Sequence, residues 1–262
     1  MSNPTIVSHR GLCRSGVDAA RIGENTIEAL SDGIRALDVL GFPQMIEFDV
    51  RRAKDGALVL MHDEALERTT SGHGFVREYT YLELLRLDAG LGRSIPLLTD
   101  VLDRFGATPD VHFCIELKER GFAAEIGRLL VSRNLQGRAT VSAFDLDDAD
   151  AGDTDPERFS SWDDLALVRP EIPIALLASA RKITAKGESQ FVGEAVDRGA
   201  SAVNPEYTGT TASLVSMAHR AGLTLSVWTV NALERYQHLL AIGVDSVFCD
   251  NPYFLATRRS AE

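Results

Sequence analysis

Short runs of strand-forming residues alternate with helix-patterned stretches along almost the whole chain, and this rhythm restricts the fold more than any other feature. Strand-like runs occupy 5–8, 45–50, 57–61, 111–117, 139–142, 172–177, 201–204, 223–227 and 245–249. Between most of them apolar residues return at helical spacing, most clearly over 26–40, 122–133, 188–198, 211–221 and 232–241. Gly41, Gly199, Gly222 and Gly243 stand where four of these helices end, as helix-terminating glycines commonly do. Repeated βα units build parallel sheets, because a helix is the usual way back to the start of the next parallel strand. With 57–61 set aside as a hairpin partner, eight strands remain, the number that closes a (β/α)8 TIM barrel with its active site at the C-terminal strand ends. An open doubly wound sheet is the alternative, but no GxGxxG follows the first strand, which removes the support for a dinucleotide-binding form. The length of 262 residues suits a single barrel domain over 1–262. Residues 64–97, rich in Gly, Thr and charge, are too long for a simple βα loop and are expected to form a small insertion over the barrel mouth.

Composition narrows the function classes. A hydrophobic fraction of 45% and a charged fraction of 25% describe an ordinary globular chain with a sizeable core. The net charge of −11 offers no general attraction to nucleic acid or anionic lipid, so neither is expected as a partner. The opening MSNPTIVSHRG lacks a basic segment followed by an apolar one, and no run reaches the ~20 apolar residues of a membrane span. Cytoplasmic residence without membrane insertion is the expectation; the oligomeric state is not legible. Cys13, Cys114 and Cys249 are scattered and outside any CxxC spacing, against a disulfide framework or a zinc site. Cys114 and Cys249 lie in apolar strand runs and read as buried free thiols, whereas Cys13 follows the turn after the first strand, near the expected site. The acidic stretch 145–162 lacks the spacing of an EF-hand loop and reads as a solvated loop.

Chemistry concentrates on two strands. In Ile46-Glu47-Phe48-Asp49-Val50, side chains alternate between faces, so Glu47 and Asp49 share one face and the apolar residues the other. Two carboxylates directed into a barrel repel each other and lose solvation unless a cation lies between them. Carboxylate oxygens suit a hard divalent ion such as magnesium or calcium, with manganese also compatible. Ile115-Glu116-Leu117-Lys118 repeats the pattern, adding Glu116 as a third carboxylate and Lys118 as a cation for a phosphate oxygen or for the acids themselves. Alone, either segment also reads as an ordinary strand with a wet polar face; within a parallel βα series such faces are rare. His9, in Ser8-His9-Arg10-Gly11, and His62, in Met61-His62-Asp63, each end a strand-like run and form a pair able to donate and accept protons near neutral pH. Arg10 has the planar donors that match phosphate oxygens, a barrel-mouth salt bridge being its plainer use. Asn25 reads equally as a site-supporting hydrogen bonder or as a helix start.

The motifs Ser8-His9-Arg10-Gly11, Glu24-Asn25-Thr26, Glu47-Phe48-Asp49-Val50, Lys54-Asp55-Gly56 and His62-Asp63 resemble, in order and spacing, the N-terminal signature of glycerophosphodiester phosphodiesterases. Similar matches continue through Leu66-Glu67-Arg68-Thr69-Thr70, Ile115-Glu116-Leu117-Lys118, Val227-Trp228-Thr229-Val230-Asn231 and Asp250-Asn251-Pro252, nearly to the C-terminus. The resemblance implies a (β/α) barrel with an insertion after the second strand and hydrolysis of a glycerophosphodiester to glycerol 3-phosphate and an alcohol. It also implies one divalent metal on Glu47, Asp49 and Glu116, with His9 and His62 as general acid and base. Arg10 and Lys118 would contact phosphate, and Trp228 would line the mouth with Phe144 shaping the pocket. A lysophospholipase D-type activity and a catalytically silent phosphodiester-binding barrel are the alternatives. The chain departs from the family pattern in carrying Gly23 where proline is usual and in the length of 145–162.

Overall fold

The computed structural model describes residues 4–12, 23–145, 148, 162–168 and 170–258. Its strands are β1 (Thr5–His9), β2 (Met45–Arg52), β3 (Leu58–Leu60), β4 (His112–Leu117), β5 (Ala139–Ala143), β6 (Ile174–Ala178), β7 (Ala202–Pro205), β8 (Thr224–Val227) and β9 (Ser246–Cys249). The helices are α1 (Ile27–Leu40), α2 (Tyr81–Leu84), α3 (Leu98–Gly106), α4 (Ala123–Ser132), α5 (Trp162–Leu165), α6 (Ala180–Lys186), α7 (Glu188–Asp197), α8 (Ala212–Arg220) and α9 (Leu233–Ile242). Every strand-like run of the sequence is a strand. All of them except β3 pair in parallel, and because β1 bonds both β2 and β9 the sheet closes into an eight-stranded barrel.

Two-residue periodicity divides that barrel into an apolar outside and a chemical inside. Ile46, Phe48 and Val50 of β2 and Phe113, Ile115 and Leu117 of β4 are at most 1% exposed and belong to the main core under the helices, with Leu30 and Leu37 of α1. The alternate residues of the same strands face the axis. α1 is held at both ends: the Thr26 hydroxyl accepts from the Ala29 N–H, and Gly41, at φ 73°, lets its own N–H reach the Asp38 and Leu37 carbonyls.

The insertion has a core of its own, built on Ala53, Val59, Met61, Leu66, Val76, Leu84, Ala89 and Ile95. Its packing begins earlier than the expected boundary at 64, because Val59 and Met61 of the hairpin turn into this cluster. Along one edge, β2 pairs with β1 through Met45, Ile46 and Glu47 and then with antiparallel β3 through Val50, Arg51 and Arg52. β3 therefore stacks beyond the end of β1, which sets the following residues, His62 and Asp63, over the barrel mouth. Among the described residues, no helix is long and apolar enough to cross a membrane. Cys114 and Cys249 are free thiols, Cys249 buried and Cys114 partly so. Cys13 and nearly all of the acidic stretch lie outside the described residues.

Candidate active site at the barrel mouth

Register brings the three acids together. Asp49 on β2 pairs across the ladder with Glu116 on β4, and Glu47 lies one inward position below Asp49, beside His9 of β1. Glu47, Asp49 and Glu116 each offer a carboxylate oxygen such that the three lie within 4.8 Å of one another. All three are buried, at 3%, 0% and 8% exposure. Glu47 Oε1 and Asp49 Oδ1 are enclosed without a hydrogen-bond donor, a costly state for carboxylate oxygens unless a cation faces them. The donor set, all hard oxygens, fits a divalent ion of the magnesium or calcium type. Without such an ion, burial and the neighbouring acids Asp49 and Glu116 push the Glu47 carboxyl well above its usual range, and burial also raises Glu116 despite Lys118. Asp49 goes the other way: burial opposes ionisation, but the charges of Arg10 and Lys118 and the Asn25 amide hold its carboxyl well below the ordinary value.

Each imidazole is backed by a carboxylate. His9 Nδ1 lies 2.6 Å from Asp250 Oδ1, and its Nε2 is 3.9 Å from Glu47 Oε2. Asn231 fixes Asp250 twice, donating from Nδ2 to Oδ2 at 2.6 Å and accepting the Asp250 N–H at 2.9 Å. On the other side, His62 Nδ1 lies 2.7 Å from Asp63 Oδ1, and Lys118 Nζ stands 3.1 Å from His62 Nε2. Since ammonium can only donate, Nε2 is the acceptor in that contact and Nδ1–H donates to Asp63. Burial and the charges of Lys118 and Arg10 lower the His62 pKa to about 3, which keeps the ring neutral at ordinary pH. Arg68, from the insertion, grips both Asp63 oxygens at 2.5 and 2.9 Å and reaches Glu24 at 2.7 and 3.0 Å, tying the insertion to the turn before α1.

Arg10 and Lys118 are set among the acids. The Arg10 N–H donates to Glu47 at 2.9 Å, while its guanidinium meets Glu24 at 3.1 Å and Asp49 at 3.3 Å. Lys118 Nζ lies 2.6 Å from Glu116 and 3.9 Å from Asp49. Of the two uses the sequence leaves open, neutralising the acid cluster is the one the contacts display; both side chains also line the groove. Asn25, at φ 57°, donates to Asp49 Oδ2 at 2.8 Å and accepts the Asp49 N–H at 3.2 Å, so it supports the site while Thr26 caps the helix. Phe144, whose ring lies 5.7 Å from Lys118 Nζ, meets Trp228 edge to face at 5.4 Å, with the indole N–H donating to the Asn204 carbonyl at 2.8 Å. The resulting groove, about 170 Å³, is lined by His9, Arg10, Glu47, His62, Glu116 and Lys118 on one side and by Ser142, Phe144, Leu177, Trp228, Thr229 and Phe248 on the other.

The sequence profile of the glycerophosphoryl diester phosphodiesterase family matches residues 9–253. The chain belongs to that family. As a phosphodiesterase of this family it is a phosphoric diester hydrolase, and its similarity extends over full-length relatives. It is 30% identical over 259 residues to the glycerophosphodiester phosphodiesterase of Caldanaerobacter subterraneus subsp. tengcongensis, covering 94% of each chain. The fold matches the glycerophosphodiester phosphodiesterase of Agrobacterium tumefaciens with a TM-score of 0.72 at 24% identity, over 97% of this chain and 99% of that one. It also matches an Oleispira antarctica phosphodiesterase solved with the product sn-glycerol-3-phosphate, with a TM-score of 0.72 at 22% identity, over 98% and 97% of the two chains.

Several residues of the phosphodiesterase site carry no role in the sequence reading. Asp63 and Asp250 sat inside the recognised motifs without a role, and Asn231 likewise. Arg68, Glu24, Arg51 and Glu119 act through charge pairing across the fold. For Arg51 a signal existed: it is the next same-face residue after Glu47 and Asp49 and continues the charged face of β2.

Proposed function

We propose that this phosphodiesterase hydrolyses small glycerophosphodiesters to glycerol 3-phosphate and an alcohol in a metal-dependent reaction. The observation that carries the reading is the buried acid triad with two donorless oxygens, set between two carboxylate-backed imidazoles in one groove. Glu47, Asp49 and Glu116 would hold one divalent ion, magnesium, calcium or manganese, whose chemistry is to polarise a phosphoryl oxygen and offset charge in the transition state. Arg10 and Lys118 add positive potential on the same side, where phosphate charge develops.

The two imidazoles have unlike surroundings, and this supports a division of labour. Asp63 holds the Nδ1–H of His62 and leaves Nε2, which faces Lys118 Nζ at 3.1 Å, as the ring's acceptor and the atom placed to take the proton from the attacking oxygen. His9, held at Nδ1 by Asp250 and with Nε2 3.9 Å from Glu47, is the other imidazole in the groove and would deliver a proton to the leaving alkoxide. Phe144 and Trp228 form the wall against which the alcohol or glycerol part would rest.

Chelator-stripped protein assayed on glycerophosphocholine, glycerophosphoethanolamine and glycerophosphoglycerol, with each metal restored in turn, tests this reading. Metal-restored turnover is expected. His62→Ala should lose on the order of a hundred- to ten-thousandfold in rate, the usual worth of a positioned base, and Glu47→Ala at least about a hundredfold, given the several kcal/mol a catalytic metal supplies. Wild-type turnover in either variant removes that residue from the mechanism. Faster turnover of lysophosphatidylcholine than of glycerophosphocholine would move the assignment to a lysophospholipase D, and binding without turnover in every metal would make the barrel a silent binder.

A further inference from the structure

We propose that Arg51 and Glu119 form a buried clamp that positions His62, and so act on the reaction without touching substrate. The proposal rests on the reading of His62 as a proton acceptor. Arg51 is the third inward residue of the Glu47, Asp49 series on β2 and is 3% exposed; Glu119, directly after Lys118, is 6% exposed. Neither lines the groove. Arg51 Nε donates to the His62 carbonyl at 2.8 Å, and its Nη1 meets Glu119 Oε1 at 3.2 Å. The His62 carbonyl needs such a donor because it lies past the end of β3: the Met61 N–H still bonds the Asp49 carbonyl at 3.0 Å, and His62 follows beyond that pairing.

The clamp joins the three segments that must agree for His62 to stand where it does. Arg51 belongs to β2, His62 to the chain leaving β3, and Glu119 to the end of β4, where the Lys118 N–H donates to the Val50 carbonyl at 3.1 Å. The side chain of Lys118 then meets His62 Nε2, so backbone and ring of the histidine are each referred to β2 and β4. A planar guanidinium with two directed bonds fixes an angle that a lysine could not. Buried ion pairs commonly contribute little net stability relative to apolar residues of equal volume, so directional placement is what this pair adds. A base displaced by about 1 Å costs roughly a hundredfold in rate, which makes such a clamp consequential.

The test compares the paired substitution Arg51→Met with Glu119→Leu, which replaces the ion pair by apolar volume, with Arg51→Lys, which keeps the charge and loses the fork. Both are measured in the full-length protein for Tm, divalent-metal affinity, KM and kcat on glycerophosphocholine, beside His62→Ala. The expected result is a kcat lowered on the order of ten- to a hundredfold, with KM and metal affinity within about twofold of wild type, in whichever of the two variants retains the wild-type Tm within a few degrees. Arg51→Lys keeps the test decisive where the paired change does not fold. A folded variant with wild-type kcat, or one whose loss falls on KM or metal affinity instead, overturns the clamp. If His62→Ala is inactive while the clamp variants are normal, only this inference fails; if His62→Ala itself turns over normally, the reading of the base fails first.

Discussion

Glu47 shows how a single side chain acquires a function from its neighbours. Strand alternation turns it inward, pairing sets it beside His9, and burial, together with Asp49 and Glu116, then makes its ionised form unfavourable. A carboxyl whose folded pKa lies above its ordinary 4.5 binds more protons in the native state than in the unfolded chain. Its contribution to stability is therefore present below about pH 4.5 and is lost as pH rises through the raised value. Chelator-stripped protein should lose Tm over that rise, and Glu47→Gln, which cannot ionise, should lose less. With metal present the trend at Glu47 should reverse, because coordination requires the carboxylate and affinity grows with pH. Thermal denaturation of both proteins at several pH values, with and without saturating magnesium, checks the signs; identical pH profiles for wild type and Glu47→Gln without metal would contradict them. At this scale the three acids and both histidines were legible because each lies in a short alternating run and within a family motif. The residues that orient them were not, since His9 and Asp250 are 241 positions apart and nothing local in either segment announces the contact.

Between elements, the insertion decides whether the site is complete. β3 carries the chain up to His62, and Arg68 returns from the insertion to hold Asp63, so the small cluster around Leu66, Val76 and Leu84 supports one of the two imidazoles proposed to transfer protons. Leu84 is fully buried there, and Leu84→Ala should cost about 2–5 kcal/mol in that unit. Hydrogen exchange should show lost protection concentrated in 53–97, with a fall in kcat and an intact barrel. Uniform loss across the barrel strands would mean the insertion does not pack as a separate unit. The helices legible in the sequence were those with long apolar periodicity, such as α1 with its Thr26 and Gly41 ends. α6 is not legible because it has seven residues of which only Lys182 and Ile183 are buried, whereas α3 carried a readable signal in Leu98, Val101, Leu102 and Phe105 at helical spacing.

Across the whole molecule, an acidic chain of net charge −11 surrounds a groove where Arg10 and Lys118 pair with the buried acids. Parallel barrel topology makes this possible, because it delivers β1, β2 and β4 to the same rim in adjacent order with no sequence proximity between them. The element order that reveals the barrel was readable from end to end, whereas the closure between β1 and β9 is a property of three dimensions alone. Calorimetric titration of chelator-stripped wild type, Glu47→Gln and Glu116→Gln with magnesium, calcium and manganese is the most direct test of the buried triad as a cation site. One ion per chain should bind wild type with at least one of these metals, and each variant should bind it at least about tenfold more weakly while keeping the wild-type fold. Equal affinity in all three proteins, or no binding of any metal to wild type, would contradict it.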